Sequence, residues 1–177
     1  DNEKNKFGEK FKKDEAKNDT TKSGSIKSGV IKSKRALENI VNENIGYIKS
    51  TAPNVHCLTN VVTMQDVANM LLAAGGSAIM AQDIKEMEEI TQIASATLLN
   101  MGVPSDEKIA AYIAAGKCAN KLGHPVIFDP VGVGASNYRK KCANDILANV
   151  YPDIIRCNQE EAKVLLEFKN FGREEVA

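Results

Sequence analysis

No two of the four cysteines lie close together, and only two histidines accompany them. Cys57, Cys118, Cys142 and Cys157 lack the paired spacing of a zinc site or of a secreted disulfide framework. The pattern predicts reduced thiols in a cytoplasmic protein. An excess of one charge is missing too: 23 Lys and Arg balance 23 Asp and Glu, so nothing in the balance points to nucleic acid or to a membrane surface. No apolar run approaches the roughly 20 residues of a membrane span, and the N-terminus has no secretory apolar core. The sequence opens on Asp1 rather than Met, which predicts a processed or incomplete N-terminus.

Residues 1–34 carry only isolated apolar side chains among Lys, Asn, Ser and Gly. Such a segment cannot bury enough surface to offset its ordering entropy, and it predicts a disordered, mildly basic tail. Interspersed acids and scarce aromatics favour a solvated tail over a nucleic-acid arm. A single domain over 35–177 follows, within the usual length of one core.

From Arg35 the pattern becomes α/β. Ala36, Leu37, Ile40, Val41, Ile45 and Ile48 recur at helical spacing up to about Ser50. Short strands are expected over 55–59, 77–81, 97–100, 126–130 and 154–157. Helices alternate with them: one around Val67–Leu72 ending at Gly75, one over 84–95, one from Ser105 to Leu122 closed by Gly123, one over 137–149, and one opened by Asn158. Asn60 falls where a cap of the second helix is expected. Alternation of this kind predicts right-handed crossovers and a mainly parallel sheet with helices on both faces.

The stretch Val126–Ser136 organises the rest. Val126, Ile127 and Phe128 suit a covered strand, Pro130 ends its ladder, and Gly132 and Gly134 open a loop that can turn sharply or approach a ligand. Asp129 then sits where ligands bind in an open parallel sheet, able to orient a magnesium ion or a reacting hydroxyl; as plain structure, it caps the next helix. Asn60, Met80, Asn100, Asp129 and Asn158 all follow strands, so one rim collects them. The pair Asn158-x-x-Glu161 reads either as a helix cap or as an acid holding a magnesium-bound water beside a phosphate. Arg156 needs a partner, which a phosphate oxygen or a carboxylate can supply. Met80 alone reads as core, and His56 as a satisfied structural histidine.

Five segments occur in one order: Val55–Asn60, Ser77–Ala81, Leu99–Gly102, Asp129–Ala135 and Arg156–Glu161. Together they resemble the hydroxyethylthiazole kinases, thiamine-salvage members of the ribokinase-like group, over roughly Leu37–Leu166. The resemblance implies a three-layer ribokinase-like fold, incomplete at the C-terminus. It also implies a cytoplasmic homotrimer that uses ATP and magnesium to phosphorylate the hydroxyl of 4-methyl-5-(2-hydroxyethyl)thiazole. By motif position, Met80 and Asn60 correspond to the thiazole pocket, Arg156 to an ATP contact, and Asp129 and Glu161 to the acidic positions linked with magnesium. Two departures stand out. Cys157 replaces the family's usual glycine, and the family's glycine-rich anion hole, with its cysteine, is expected beyond this chain, so no catalytic base is assigned. Two rivals are a ribokinase-like enzyme for another small alcohol and a non-catalytic binding or assembly subunit.

Overall fold

All five expected strands are present, and all pair in parallel. The computed structural model describes residues 34–168, and the chain divides into two compact units, 1–44 and 45–177. Helix α1 (Lys34–Thr51) runs across that division, and its apolar positions Leu37, Val41 and Ile45 remain exposed. The expected tail over 1–34 lies outside the described residues except for Lys34, which already belongs to α1. Among the described residues no helix is long and apolar enough to cross a membrane.

The second unit holds the sheet: β1 (Asn54–Leu58), β2 (Ser77–Ile79), β3 (Ala96–Asn100), β4 (Val126–Asp129) and β5 (Ile154–Ile155), in the order β2-β1-β3-β4-β5. The helices between them are α2 (Met64–Ala74), α3 (Met87–Ile93), α4 (Asp106–Leu122), α5 (Asn137–Leu147) and α6 (Gln159–Leu166). Register decides which side chains share a face, because paired residues of parallel strands point the same way. Leu58, Leu99 and Phe128 form one fully buried row. Met87 of α3, Tyr112 and Ala115 of α4, and Ala143 and Ile146 of α5 join them in one core. The opposite row runs Cys57, Leu98, Ile127, Ile154. There α2 leans over the sheet, and Val67, Met70 and Leu71 bound a cavity of about 640 Å³ with Val55, Leu98 and Ile127. Helices thus lie on both faces, but the second face is thinly covered, and Ile154 is 57% exposed.

Local chemistry accounts for most boundaries and for several departures. Ser105 accepts from the Lys108 amide and starts α4, which closes at Gly123 as expected. The single helix expected over 84–95 is split. Asp83 accepts from the Lys85 amide and tightens Ile84–Glu86 into a 3-10 turn before α3 begins. β2 stops at Ile79 and β5 at Ile155, each two residues early. Asn60 is not the cap of α2: Thr63 holds that position without a side-chain capping bond, its hydroxyl lying instead 2.9 Å from that of Thr59. Asn60 instead accepts from the Val62 amide through its side chain and from the Thr63 and Met64 amides through its carbonyl, forming the turn ahead of the helix. Nor does Asp129 cap the next helix, since Ser136 accepts from the Arg139 amide to start α5.

Two buried side-chain atoms lack a hydrogen-bond partner among the described residues, Thr97 Oγ1 and His124 Nδ1. The Thr97 hydroxyl sits in the core face of β3 with no hydrogen bond among the described residues. An unsatisfied buried hydroxyl costs roughly 1–3 kcal/mol, so Thr97→Val, of nearly the same shape, is expected to stabilise the fold by about 1 kcal/mol. A denaturant midpoint that falls instead of rising would show that Thr97 has found a partner.

Candidate active site at the carboxyl edge of the sheet

The strand order reverses between β1 and β3, and in open parallel sheets ligands bind outside the carboxyl ends of strands at such a point. Asn60 follows β1, and Asn100 closes β3. Across that crevice the Asn60 Nδ2 donates to Asn100 Oδ1 at 3.1 Å. One strand further on, Asn100 Nδ2 donates to Asp129 Oδ2 at 2.9 Å. Arg156, just past β5, donates from Nη1 to the same Oδ2 at 2.8 Å. Four rim residues from four strand ends thus form one continuous chain.

Asp129 is buried, whereas the Arg156 side chain is 77% exposed. A carboxylate out of water needs charged or polar partners, and here Asn100 and Arg156 supply them on one oxygen. Oδ1 carries no hydrogen bond among the described residues and is not sealed from solvent. Asp129 lines a cavity of about 280 Å³ with Val131, Arg156, Cys157, Asn158 and Glu161, and with Asn100 and Arg156 it also borders the cavity of about 640 Å³ beneath α2. An exposed cation, a buried carboxylate and the start of a helix therefore line one space.

Glu161 ties that space together. Asn158 Oδ1 accepts from the Glu161 amide, and Glu161 Oε2 accepts from the Asn158 amide, both at 2.9 Å, making a reciprocal capping box. The expected cap is therefore real, yet it does not exhaust the residue. Glu161 Oε1 reaches across 29 residues of sequence to accept from the Gly132 amide at 2.8 Å. Gly132 has φ +66, a left-handed conformation that glycine adopts without strain. The loop after β4 is thereby pinned to the start of α6. Among the described residues no group of three or more His, Cys, Asp or Glu could hold a metal ion.

Met80 stands apart from this cavity, beyond the end of β2. The segment that follows it is tied to His56, which is fully buried. His56 Nε2 lies 3.2 Å from the Ala81 carbonyl and Nδ1 lies 3.0 Å from Thr91 Oγ1. A carbonyl can only accept, so Nε2 carries the proton and the Thr91 hydroxyl donates to Nδ1. Burial pushes the imidazole below its ordinary 6.5, against smaller opposing effects from the Ala81 carbonyl and Glu86. Such a group leaves stability complete above the unfolded value of 6.5 and erodes it as pH falls below that point, because the unfolded chain then binds the proton first. Melting temperature is expected to drop between pH 7 and pH 5.5 in the wild type, and by less in His56→Gln; parallel curves would rule out His56 as the cause.

Several residues of the rim escape a sequence reading. Arg139 of α5 reaches under two loops, donating to the Val131 carbonyl at 2.9 Å, to Gly102 at 2.8 Å and to Met101 at 3.4 Å. Gln82 Nε2 donates to the Thr59 carbonyl at 2.7 Å. Neither belongs to a motif, and each acts on backbone far away in sequence. Cys157 is exposed in the cavity, whereas burial pushes the Cys57 thiol up to about 11, which keeps it protonated.

The sequence pattern of the hydroxyethylthiazole kinase family matches residues 45–174. This chain belongs to that family. A hydroxyethylthiazole kinase of Clostridium botulinum (strain Alaska E43 / Type E3) is 52% identical over 118 residues, covering 67% of this chain and 42% of that protein. One from Clostridium acetobutylicum is 48% identical over 126 residues, 71% of this chain and 46% of that protein. The solved hydroxyethylthiazole kinase of Pyrococcus horikoshii OT3 superposes with a TM-score of 0.69 at 34% identity, covering 72% of this chain and 50% of that one. The chain spans half or less of the length of each of these hydroxyethylthiazole kinases.

Proposed function

We propose that the rim built by Asn60, Asn100, Asp129, Arg156 and Glu161 serves ATP-dependent phosphorylation of the hydroxyl of 4-methyl-5-(2-hydroxyethyl)thiazole in thiamine salvage. The observation that carries this reading is the cavity in which Asp129, Arg156 and Glu161 meet at the carboxyl edge of a parallel sheet, in a member of the hydroxyethylthiazole kinase family. Phosphoryl transfer asks chiefly for positioning and charge neutralisation, and these groups suit both tasks.

In this reading Asn60, with Met80 on the neighbouring strand end, forms the thiazole side of the rim. Arg156 moves from Asp129 to a phosphate oxygen of ATP, an exchange its exposure allows. Magnesium usually takes one or two carboxylates together with phosphates and waters rather than a full protein cage. The residues fit that habit: Asp129 has Oδ1 open, and Glu161, with each oxygen already accepting from an amide, would reach the ion through water. The ion, when bound, neutralises charge on the phosphates. Around it the chain's own groups orient: Gly132 is fixed by Glu161, and the start of α6 favours anionic groups. The assembled protein is read as a cytoplasmic homotrimer that works on small molecules, without nucleic acid or membrane.

Transfer of phosphate from ATP to the thiazole alcohol tests the reading, using this 177-residue chain and a version extended to the relatives' length. Product from either form supports it. Absence of product from both refutes it, and product with a different small alcohol alone transfers the reading to another ribokinase-like substrate.

A further inference from the structure

We propose that Asn100 is a positioning residue that fixes the carboxylate of Asp129 and couples it to Asn60 across the switch point of the sheet. The inference rests on the kinase reading above for its purpose, but on hydrogen-bond geometry alone for its content.

The orientation of the Asn100 amide is determined by its neighbours. The Gly102 backbone N–H, which can only donate, lies 3.0 Å from the atom assigned as Oδ1, so that atom must be the oxygen. The same logic sets Asn60: the Val62 N–H donates to its Oδ1, which leaves Nδ2 to donate to Asn100 Oδ1. Asn100 Nδ2 then points at Asp129 Oδ2. The residue is held from behind as well, because its carbonyl accepts from the Tyr112 hydroxyl at 2.9 Å. Burial pushes that phenol up to about 12, so it stays a donor throughout the physiological range. Each donor and acceptor position therefore has one consistent assignment.

Asp129 Oδ2 has two donors of different character. Arg156 is largely exposed and is the partner a phosphate can take away. Asn100 is anchored by Asn60, Gly102 and Tyr112 and has no competing role. When Arg156 leaves, Asn100 remains to hold Oδ2 and so to fix the orientation of the carboxylate. Because its oxygen is bonded to Asn60, the same amide carries any shift of the substrate side to the phosphate side. Asp129 alone could not do both, for the Asn60 side chain reaches Asn100 and not Asp129.

Two substitutions separate positioning from simple structural support. Asn100→Asp retains an oxygen for Asn60 and Gly102 but replaces the N–H donor facing Asp129 with an acceptor. Asn100→Ala removes both sides. The wild-type chain and both variants would be titrated with magnesium tripolyphosphate, which offers the phosphates without the base, following backbone amide resonances. We expect the affinity to fall at least tenfold in Asn100→Asp, as much as in Asn100→Ala, while the Gly102 amide keeps its hydrogen-exchange protection in Asn100→Asp and loses it in Asn100→Ala. Wild-type affinity in Asn100→Asp, with Gly102 still protected, would overturn the role and leave Asn100 as a loop support. If Asn100→Ala fails to fold, Asn100→Asp decides by the same criterion. If the wild-type chain takes up no tripolyphosphate, the same titration and variants move to the version extended to the relatives' length; no uptake by either form refutes the kinase reading and this inference with it, whereas uptake by the wild type with undiminished affinity in Asn100→Asp overturns this inference alone.

Discussion

Gly102→Ala is expected to destabilise the second unit by about 3 kcal/mol, the sum of an overpacking cost of roughly 1–3 kcal/mol and the loss of one or two hydrogen bonds worth about 1 kcal/mol each. A Cβ at this position would lie 2.2 Å from Asn60 Nδ2 and 3.0 Å from Asn100 Oδ1. The Asn60 amide would have to leave, and it can do so only by abandoning the Val62 N–H, Asn100 Oδ1, or both. Movement of the loop itself offers little relief, because Arg139 Nη2 holds the Gly102 carbonyl at 2.8 Å from the other side. The control is Gly46→Ala in α1, where nothing lies within 4 Å of the added carbon; there alanine is expected to stabilise by up to about 1 kcal/mol through helix propensity. Urea unfolding at constant slope measures both. A Gly102→Ala loss below about 0.5 kcal/mol would mean that the Asn60–Asn100 contact is not maintained in solution.

How much of this was legible in the sequence differs by level. The strand-helix alternation survives because hydrophobic periodicity reports burial directly: Leu58, Leu99 and Phe128 lie on the buried row that the apolar runs imply. Segments governed by one local bond were misread. Asp83 turning Ile84–Glu86 into 3-10 geometry, and Asn60 building a turn instead of a cap, both depend on a side chain choosing between nearby amides. The placement of the candidate residues was legible where they follow a strand, since topology puts every such position on one rim. Their pairings were not legible. Asn100 to Asp129 spans 29 residues, Asn60 to Asn100 spans 40, and Arg139 to Gly102 spans 37. No local pattern carries contacts of that length. Glu161 shows both cases at once: its capping box is written in Asn158-x-x-Glu161, while its bond to Gly132 depends on how β4 and α6 are brought together.

That double bonding makes Glu161 the residue whose substitution should have the largest functional effect. Glutamine offers one acceptor where the carboxylate offers two, so in Glu161→Gln an amide NH₂ must face either the Gly132 or the Asn158 N–H. The expected stability cost is about 1–2 kcal/mol, in the range of a lost cap plus one unsatisfied donor. Asn158→Ala provides the comparison, since it removes one half of the box at a cost of about 1 kcal/mol and leaves the carboxylate in place. If Glu161 only fastens α6 to the loop, the two variants should lower turnover in proportion to their small difference in stability. If it also serves magnesium and phosphate, Glu161→Gln should lower magnesium-dependent turnover by roughly a hundredfold, the scale of removing one preorganised electrostatic group from a transition state. Thiazole affinity should change little in either case, because the proposed thiazole contacts Asn60 and Met80 lie on other strand ends. Steady-state kinetics on the version extended to the relatives' length, with magnesium varied at fixed thiazole, makes the separation. Similar small losses of turnover in Glu161→Gln and Asn158→Ala would assign Glu161 to structure alone, whereas a loss confined to turnover in Glu161→Gln places its carboxylate among the groups that meet the phosphate.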